Sequence, residues 1–217
     1  MATNYALKVW VAVLADYNNG RLLGAWINAA QEPEDLQFAI DHILRKSAYP
    51  NVTRQEFRCN DCHFGFVRDL PAADPTCPEC GAEAKAEGEP YPSAEEWAFH
   101  DHEGFAGFNP SEHCSLEDLS KAALAIEEHG ELYGLLRDDG LSHDEALEKI
   151  EDDYFGEYED LQDFGYRYVE DTCGMEKIPE IVRSAVDWEE VGRELCMGGG
   201  FANYKLANRN IAVFLEG

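Results

Sequence analysis

The apolar positions at the start of the chain predict a β-hairpin followed by a helix. Residues 7–15, LKVWVAVLA, are dense in β-favouring residues and lead into the turn cluster DYNNG. The following LLGAWIN returns as a second strand, so the hairpin spans residues 7–28. Pro33 suits a first helical turn, and apolar residues recur at helical spacing through about Lys46. Residues 95–103, EEWAFHDHE, alternate again, which predicts another strand of the same sheet in an α+β unit.

From residue 111 onward the apolar spacing is helical. Ser115 can cap a helix whose apolar residues repeat at three and four positions until Gly130 stops it. A shorter helix is predicted over 131–137. Ser142, with Glu145 three positions later, has the pattern of a capping box and predicts the start of the next helix.

The helix that starts at this capping box is predicted to carry Tyr154 on its buried side and to be interrupted near Gly156. A further helical stretch is predicted over 157–172. In the C-terminal part, Pro179 indicates a helix start, WEEVGRELC continues as helix, and a glycine run separates it from a terminal strand, IAVFLE.

Four cysteines form two closely spaced pairs. Cys59 and Cys62 are separated from Cys77 and Cys80 by 14 residues, a spacing typical of two thiolate knuckles that enclose one tetrahedral zinc ion. The intervening FGFVRD can form the hairpin of a zinc ribbon over about 57–90, and Gly81 permits the sharp turn after the second pair. A redox-active CxxC is the alternative. Four thiolates leave no open position for substrate, so the predicted zinc, one per chain, is structural.

The chain is strongly acidic, with 44 Asp and Glu against 17 Lys and Arg among 217 residues and a net charge of −27. This charge excludes ordinary binding to bare nucleic acid or to an anionic membrane. An apolar content of 45% predicts a folded chain, and no apolar run approaches the roughly 20 residues of a membrane span. The seven cysteines and the absence of a secretory signal pattern lead us to expect a cytoplasmic protein.

The negative charge is concentrated in the middle of the chain. The net charge is −5 over residues 1–92, −21 over 93–176 and −1 over 177–217, and residues 138–171 alone hold 14 acids and two bases. As one helix, residues 138–171 would present one net charge per roughly 4 Å, near the ~3.4 Å per phosphate of one DNA strand. A solvated helix face is the ordinary explanation of such a run. The alternative explanation is that the acidic run binds a positively charged partner, such as a protein groove that binds DNA.

Four segments in this order resemble the ArdA family of antirestriction proteins. They are VWVAVLADYNNGRLLGAWIN, EEWAFHDHEGF, SLEDLSKAALAIEEHG and GYRYVEDTCGMEKIPEIVRSAVDWEEVGREL. The resemblance covers nearly the whole chain except about residues 50–92, where the zinc ribbon looks inserted. His102 and Trp188 stand where the family pattern has other aromatic residues.

The resemblance implies an elongated α+β chain of three small domains. These are an N-terminal α+β domain, 1–110, with the zinc-ribbon insertion; an acidic helical domain, 111–160; and a C-terminal α+β domain, 161–217, with the contact of a homodimer. It implies an antirestriction protein that is not an enzyme and does not bind nucleic acid directly. Its acidic surface would mimic duplex DNA and occupy the DNA-binding groove formed by the methyltransferase and specificity subunits of a type I restriction-modification enzyme.

The acids that would form this DNA-mimic surface lie between residues 101 and 171. They are Asp101, Glu103, Glu117, Asp118, Glu127, Glu128, Asp138, Asp139, Asp144, Glu145, Glu148, Glu151, Asp152, Asp153, Glu157, Glu159, Asp160, Asp163, Glu170 and Asp171.

An enzyme is the first alternative function. Asp101 with Glu103, His100 with His102, or a free cysteine are the candidate groups, but no GxSxG, HExxH or P-loop pattern accompanies them. The other three cysteines are expected to be buried thiols; they are Cys114, Cys173 and Cys196. No calcium-loop pattern is present either.

A binding module built on the zinc ribbon is the remaining alternative. It would be an adaptor or a nucleic-acid-associated regulatory protein, and its cationic residues would be Arg54, Arg58, Arg68 and Lys85.

Overall fold

The computed structural model describes residues 6–71 and 74–216, and it confirms the α+β class. The strands are β1 Lys8–Val13, β2 Gly24–Asn28, β3 Val52–Cys59, β4 Gly65–Leu70, β5 Ala84–Ser93, β6 Trp97–Glu103, β7 Tyr154–Tyr158, β8 Phe201–Lys205 and β9 Ile211–Leu215. The helices are α1 Leu14–Asn18, α2 Pro33–Leu44, α3 Leu116–His129, α4 Glu131–Asp138, α5 His143–Asp152, α6 Leu161–Cys173, α7 Glu180–Arg183 and α8 Trp188–Met197, with a 3₁₀ turn at Met175–Lys177.

The chain divides into two compact units. The N-terminal unit ends at Glu128 and the C-terminal unit begins at His129. The finer division into three domains, with boundaries at 110 and 160, stays a prediction. Among residues 6–71 and 74–216, no helix has both the length and the apolar character needed to cross a bilayer.

The first sheet of the N-terminal unit has the antiparallel order β2-β1-β6. The central strand β1 buries Val9, Val11 and Val13, and the apolar face of α2 packs against this sheet. The predicted hairpin and its third strand are therefore confirmed. The connection between β1 and β2 differs, because β1 ends at Val13 and the short helix α1 follows. The reason is tertiary, since the buried carboxylate of Asp16 in α1 is bound by groups outside it.

The second sheet, with the antiparallel order β4-β3-β5, is the ribbon, by which we mean residues 52–93. The chain enters it from α2 and leaves it directly into β6, as the sequence predicted for an insertion. Phe57 and Phe66 stack with ring centroids 5.5 Å apart beside two of the paired cysteines, Cys59 and Cys77. This small apolar cluster is the core of the ribbon.

Helix α3 completes the N-terminal unit. The Ser115 hydroxyl accepts from the backbone N–H of Asp118 over 3.1 Å, so the predicted cap is confirmed. Leu119, Ala123 and Ile126 are buried.

The sheet of the C-terminal unit has the antiparallel order β7-β9-β8, and central β9 is buried through Ala212, Val213 and Phe214. Helices α6 and α8 meet through two glycines. A Cβ on Gly192 would lie 2.1 Å from the Leu161 carbonyl oxygen, so a larger residue at this position would force the two helices apart.

The prediction that helix continues to Tyr154 and resumes at residue 157 after an interruption near Gly156 was wrong for residues 154–158. Helix α5 ends at Asp152, and Tyr154–Tyr158 form β7, which pairs with β9. The rings of Tyr154 and Phe214 pack 5.3 Å apart across this pair. Pairing with a strand more than 50 residues away overrides the local helical spacing. The estimate that treated 138–171 as one helix therefore does not apply.

Candidate metal centre and acidic surface

The four paired cysteines converge at one end of the ribbon. Cys59 ends β3, Cys62 follows it, and Cys77 and Cys80 precede β5. The Sγ atoms of Cys59 and Cys80 are 3.4 Å apart, and those of Cys62 lie 3.6 Å from Cys77 and 3.5 Å from Cys80. All four sulfurs lie within 4.8 Å of one another.

These distances fit a tetrahedral metal site. Zinc–thiolate bonds of about 2.3 Å place two sulfurs of a tetrahedron about 3.8 Å apart. A disulfide would need about 2.05 Å, and all four thiols are free. The four cysteines could therefore bind one metal ion.

The two cysteine turns have two backbone features in common. The N–H of Cys59 donates to the Phe64 carbonyl over 2.9 Å, and the N–H of Cys77 donates to the Ala82 carbonyl over 2.8 Å. Four residues after the first cysteine of each turn the backbone is left-handed, with φ 62° at His63 and 72° at Gly81. Sequence reasoning identified only the glycine; the equal offset of His63 was the signal that could have revealed the matching position.

Backbone groups favour the thiolate form of Cys59, whereas the neighbouring sulfurs raise the pKa of the Cys62 and Cys80 thiols. The N–H groups of Cys62 and Asp61 point at the Cys59 sulfur over 3.5 and 3.4 Å. These contacts lower the pKa of the Cys59 thiol to about 6. Because the site is closed by four sulfurs, it suits a structural metal rather than a catalytic one.

Within the described ranges, the four cysteines form the one group of three or more ligand side chains close enough to hold a metal ion. His100 and His102, the histidine pair noted in the sequence, have different neighbours. The Nε2 atom of His100 lies 3.7 Å from a carboxylate oxygen of Glu112, whereas the ring of His102 packs on Phe105.

The expectation of three buried thiols was wrong for Cys173, which is exposed at the end of α6. Cys114 and Cys196 are half-buried, and burial raises the pKa of the Cys196 thiol. A raised pKa disfavours a nucleophilic thiolate at this position.

The three predicted arginines of the ribbon are engaged within the N-terminal unit, whereas the side chain of Lys85 is exposed. Arg54 is buried, Arg58 donates to Glu87 over 2.9 Å, and the guanidinium of Arg68 lies 4.7 Å from the ring centroid of Phe66. These contacts disfavour a nucleic-acid-binding patch on the ribbon.

All twenty acids assigned to the DNA-mimic surface lie at the molecular surface of their own unit. Seventeen are exposed, and three are half-buried: Asp118, Asp153 and Asp163. They are distributed over β6 and α3 in the N-terminal unit, and over α4, α5, β7, α6 and the adjoining turns in the C-terminal unit.

Helix α5 concentrates this charge on one side. Asp144, Glu148, Glu151 and Asp152, which we call the α5 acidic face, fall within an arc of about 100° at 3.6 residues per turn. In the part of the chain that the structure describes, their carboxylates form no hydrogen bond or ion pair. The one lysine of α5, Lys149, is directed instead to Glu216 over 3.1 Å. The charge of this face is therefore not compensated.

Other acids of the predicted surface also have structural roles. Glu145 completes the capping box with Ser142, which is confirmed, and Asp160 caps α6. Asp163 pairs with Arg167 over 2.8 Å. Capping of backbone N–H groups leaves the charge of Glu145 and Asp160 in place, whereas the pair with Arg167 offsets that of Asp163.

Glu157 on β7 anchors the turn between β8 and β9. Its Oε1 accepts from the side-chain amides of Asn208 over 2.9 Å and Asn210 over 2.7 Å. These hydrogen bonds lower the pKa of Glu157, so the group stays ionised. A substitution of this acid therefore changes the fold of the turn as well as the surface charge.

Three of the six predicted surface acids of the N-terminal unit have a lysine as a neighbour in strand register or on the same helix face. Glu103 on β6 is paired in register with Lys8 on β1. On α3, the exposed Lys121 lies one turn after Glu117 and shares the face of Glu128. The α5 acidic face is thus the more purely negative region.

The family model described as antirestriction protein (ArdA) matches residues 9–206. The chain therefore belongs to the ArdA antirestriction protein family. A search of curated individual proteins found no match.

Proposed function

We propose that this member of the ArdA antirestriction family inhibits type I restriction-modification enzymes by occupying their DNA-binding groove. The α5 acidic face carries the proposal, because its four carboxylates are exposed and uncompensated. Over residues 144–152 the four charges span about 12 Å of helix axis, so their mean spacing is roughly 4 Å, near the ~3.4 Å per phosphate of a DNA strand. A groove formed by the methyltransferase and specificity subunits to bind phosphates would accept such a row of carboxylates.

Charge repulsion provides the driving force. Like charges one helical turn apart destabilise a helix by tenths of a kcal/mol each, and a cationic groove relieves this cost. Binding would also release the counterions that the groove holds. The inhibition should therefore be distributed over many acids, including the other members of the predicted surface in both units.

The quaternary arrangement is part of the proposal. We place the homodimer contact in residues 161–217, within the C-terminal of the three domains. Two apolar side chains there, Ile181 at 86% and Met197 at 74%, are strongly exposed and support a surface that a second copy covers. A charge of −21 over residues 93–176 matches the phosphates of roughly 10 base pairs per chain, and a dimer would double this length.

The ribbon has a separate role in this proposal. We assign zinc to its four cysteines, one ion per chain, because the sulfur spacing and the all-thiol ligand set suit that metal. The ion would hold the two cysteine turns together and take no part in the contact with the DNA-binding groove of the enzyme.

A competition experiment tests the proposed function. A purified type I methyltransferase is bound to labelled duplex DNA containing its recognition site, and the protein is added at increasing concentration. We expect full displacement of the DNA, with an apparent affinity that falls as ionic strength rises. Inhibition with the DNA still bound would contradict mimicry, and cleavage or modification of the enzyme would indicate catalysis instead.

A further inference from the structure

A groove of about 170 Å³ lies where the ribbon meets helix α2. Phe38 of α2 forms one wall, and 45% of its surface is exposed. Phe64 and Val67 of the ribbon form the opposite wall, together with Pro78 from the second cysteine turn. The groove therefore exists only because the ribbon packs beside α2.

Polar contacts behind the groove hold its two walls together. The guanidinium of Arg54 in the ribbon donates to Asp41 of α2 over 3.0 Å and to Asp69 over 2.8 Å. Arg45, just after α2, donates to Glu56 of the ribbon over 3.0 Å. A groove with walls fixed in this way is preformed, which reduces the entropy that a ligand must overcome on binding.

The dimensions and charges of the groove restrict its occupant. Small-molecule sites usually enclose about 300–1,000 Å³, so this groove suits one apolar side chain of a protein partner. Exposed carboxylates of Glu34 and Glu79 lie on the rim. The one arginine there, Arg68, is stacked on the ring of Phe66. Two exposed acids against one arginine leave the rim net negative, which on a chain of net charge −27 favours a cationic partner.

We propose that the groove between α2 and the ribbon is a docking site for a basic polypeptide segment that inserts one leucine or phenylalanine side chain. The flanking lysines or arginines of the segment pair with Glu34 and Glu79. This contact is separate from the DNA-mimic surface, because neither Glu34 nor Glu79 is among the twenty acids assigned to that surface.

Short labelled peptides test the proposal without a restriction enzyme. The probes have a central leucine or phenylalanine with two basic residues on each side, and the reference peptide has serine at the centre. Fluorescence anisotropy gives the affinity, and amide chemical shifts of the full chain give the location. We expect an apolar peptide to bind about tenfold more tightly than the serine peptide or better, with shifts at Phe38, Phe64 and Val67.

Variants with matched controls separate the groove from general charge attraction. Phe38→Ala should remove the preference for the apolar peptide, whereas Tyr49→Ala, at a side chain of nearly equal exposure (43%), should keep it. The double variant Glu34→Gln/Glu79→Gln should weaken binding more than Glu83→Gln/Glu89→Gln, which removes the same charge outside the groove. Equal affinity for apolar and serine peptides, or shifts confined to α5, would overturn the proposal. Because no enzyme is present, neither result bears on DNA mimicry.

Discussion

The guanidinium of Arg54 lies 3.0 Å from the carboxylate of Asp41, and each side chain is only 9% exposed. This contact joins β3 of the ribbon to helix α2. Burial raises the pKa of Asp41, while the charge of Arg54 opposes that rise. The two groups thus depend on each other, because either charge alone would be costly in the interior.

Replacement of Arg54 should therefore destabilise the N-terminal unit strongly. We expect Arg54→Met to lower the free energy of unfolding by about 3–5 kcal/mol, because it leaves the Asp41 carboxylate buried without a cation. Urea unfolding checks this value. Arg58→Met, which breaks an exposed pair with Glu87, should cost no more than about 1 kcal/mol.

The loss of folding free energy in Arg54→Met should be smaller in acid than at neutral pH. A carboxyl with a folded-state pKa above its ordinary 3.8 contributes most to stability below that value and loses the contribution as pH rises through the folded pKa. The free energy of unfolding of the variant should therefore be closer to that of wild type in acid than at neutral pH. A deficit that grows on acidification would show that Asp41 is not the group left unpaired.

Metal removal should unfold the ribbon selectively. We expect elemental analysis to find one zinc per chain and a strong chelator to remove it. Hydrogen exchange should then lose protection in β3, β4 and β5 but not in α5, since metal binding and folding of such a site are coupled. Cys173→Ser, outside the cluster, is the control and should retain the metal. A chain that binds no zinc while keeping ribbon protection would refute the assignment.

Neutralisation of the α5 acidic face should weaken inhibition in steps. Each of Asp144→Asn, Glu148→Gln, Glu151→Gln and Asp152→Asn should change the half-inhibitory concentration by about twofold or less, and the four together by on the order of tenfold. The matched control removes four exposed acids elsewhere: Glu32, Asp35, Glu83 and Glu89. The measurement is displacement of duplex DNA from the methyltransferase. One substitution that abolishes inhibition in a folded chain would indicate a discrete site.

Glu157 should stabilise the C-terminal unit in a pH-dependent manner. Its pKa is lowered by Asn208 and Asn210, so its contribution is complete above the ordinary 4.5 and is lost as pH falls through the lower folded value. We expect wild type to exceed Glu157→Gln in stability at neutral pH and the difference to disappear in acid. Thermal unfolding of both chains from neutral pH to below 4.5 measures it. A difference independent of pH would mean that the charge of Glu157 contributes nothing.

Structural features that are set by residues close together in the sequence could be predicted from the sequence. The cysteine pairs identify the metal centre because two ligands three residues apart can share one turn. Helices α2 and α3 follow from apolar spacing, and Ser142 with Glu145 marks the start of α5, because caps and helix faces involve residues within a few positions. The four motifs, in their order along the chain, also identified the ArdA family from the sequence.

Tertiary structure alone decided the features that join distant segments. Residues 154–158 form a strand because β9 is available to pair with them, although their local spacing suits a helix. Arginine is usually a surface residue, but Arg54 is buried and pairs with Asp41 and Asp69. Glu157 accepts hydrogen bonds from a turn about 50 residues further along the chain. Hydrogen bonds and burial of this kind are made only when the chain has folded. The sequence by itself therefore determines which residues can bind metal or carry charge, and the fold determines which of them are free to act.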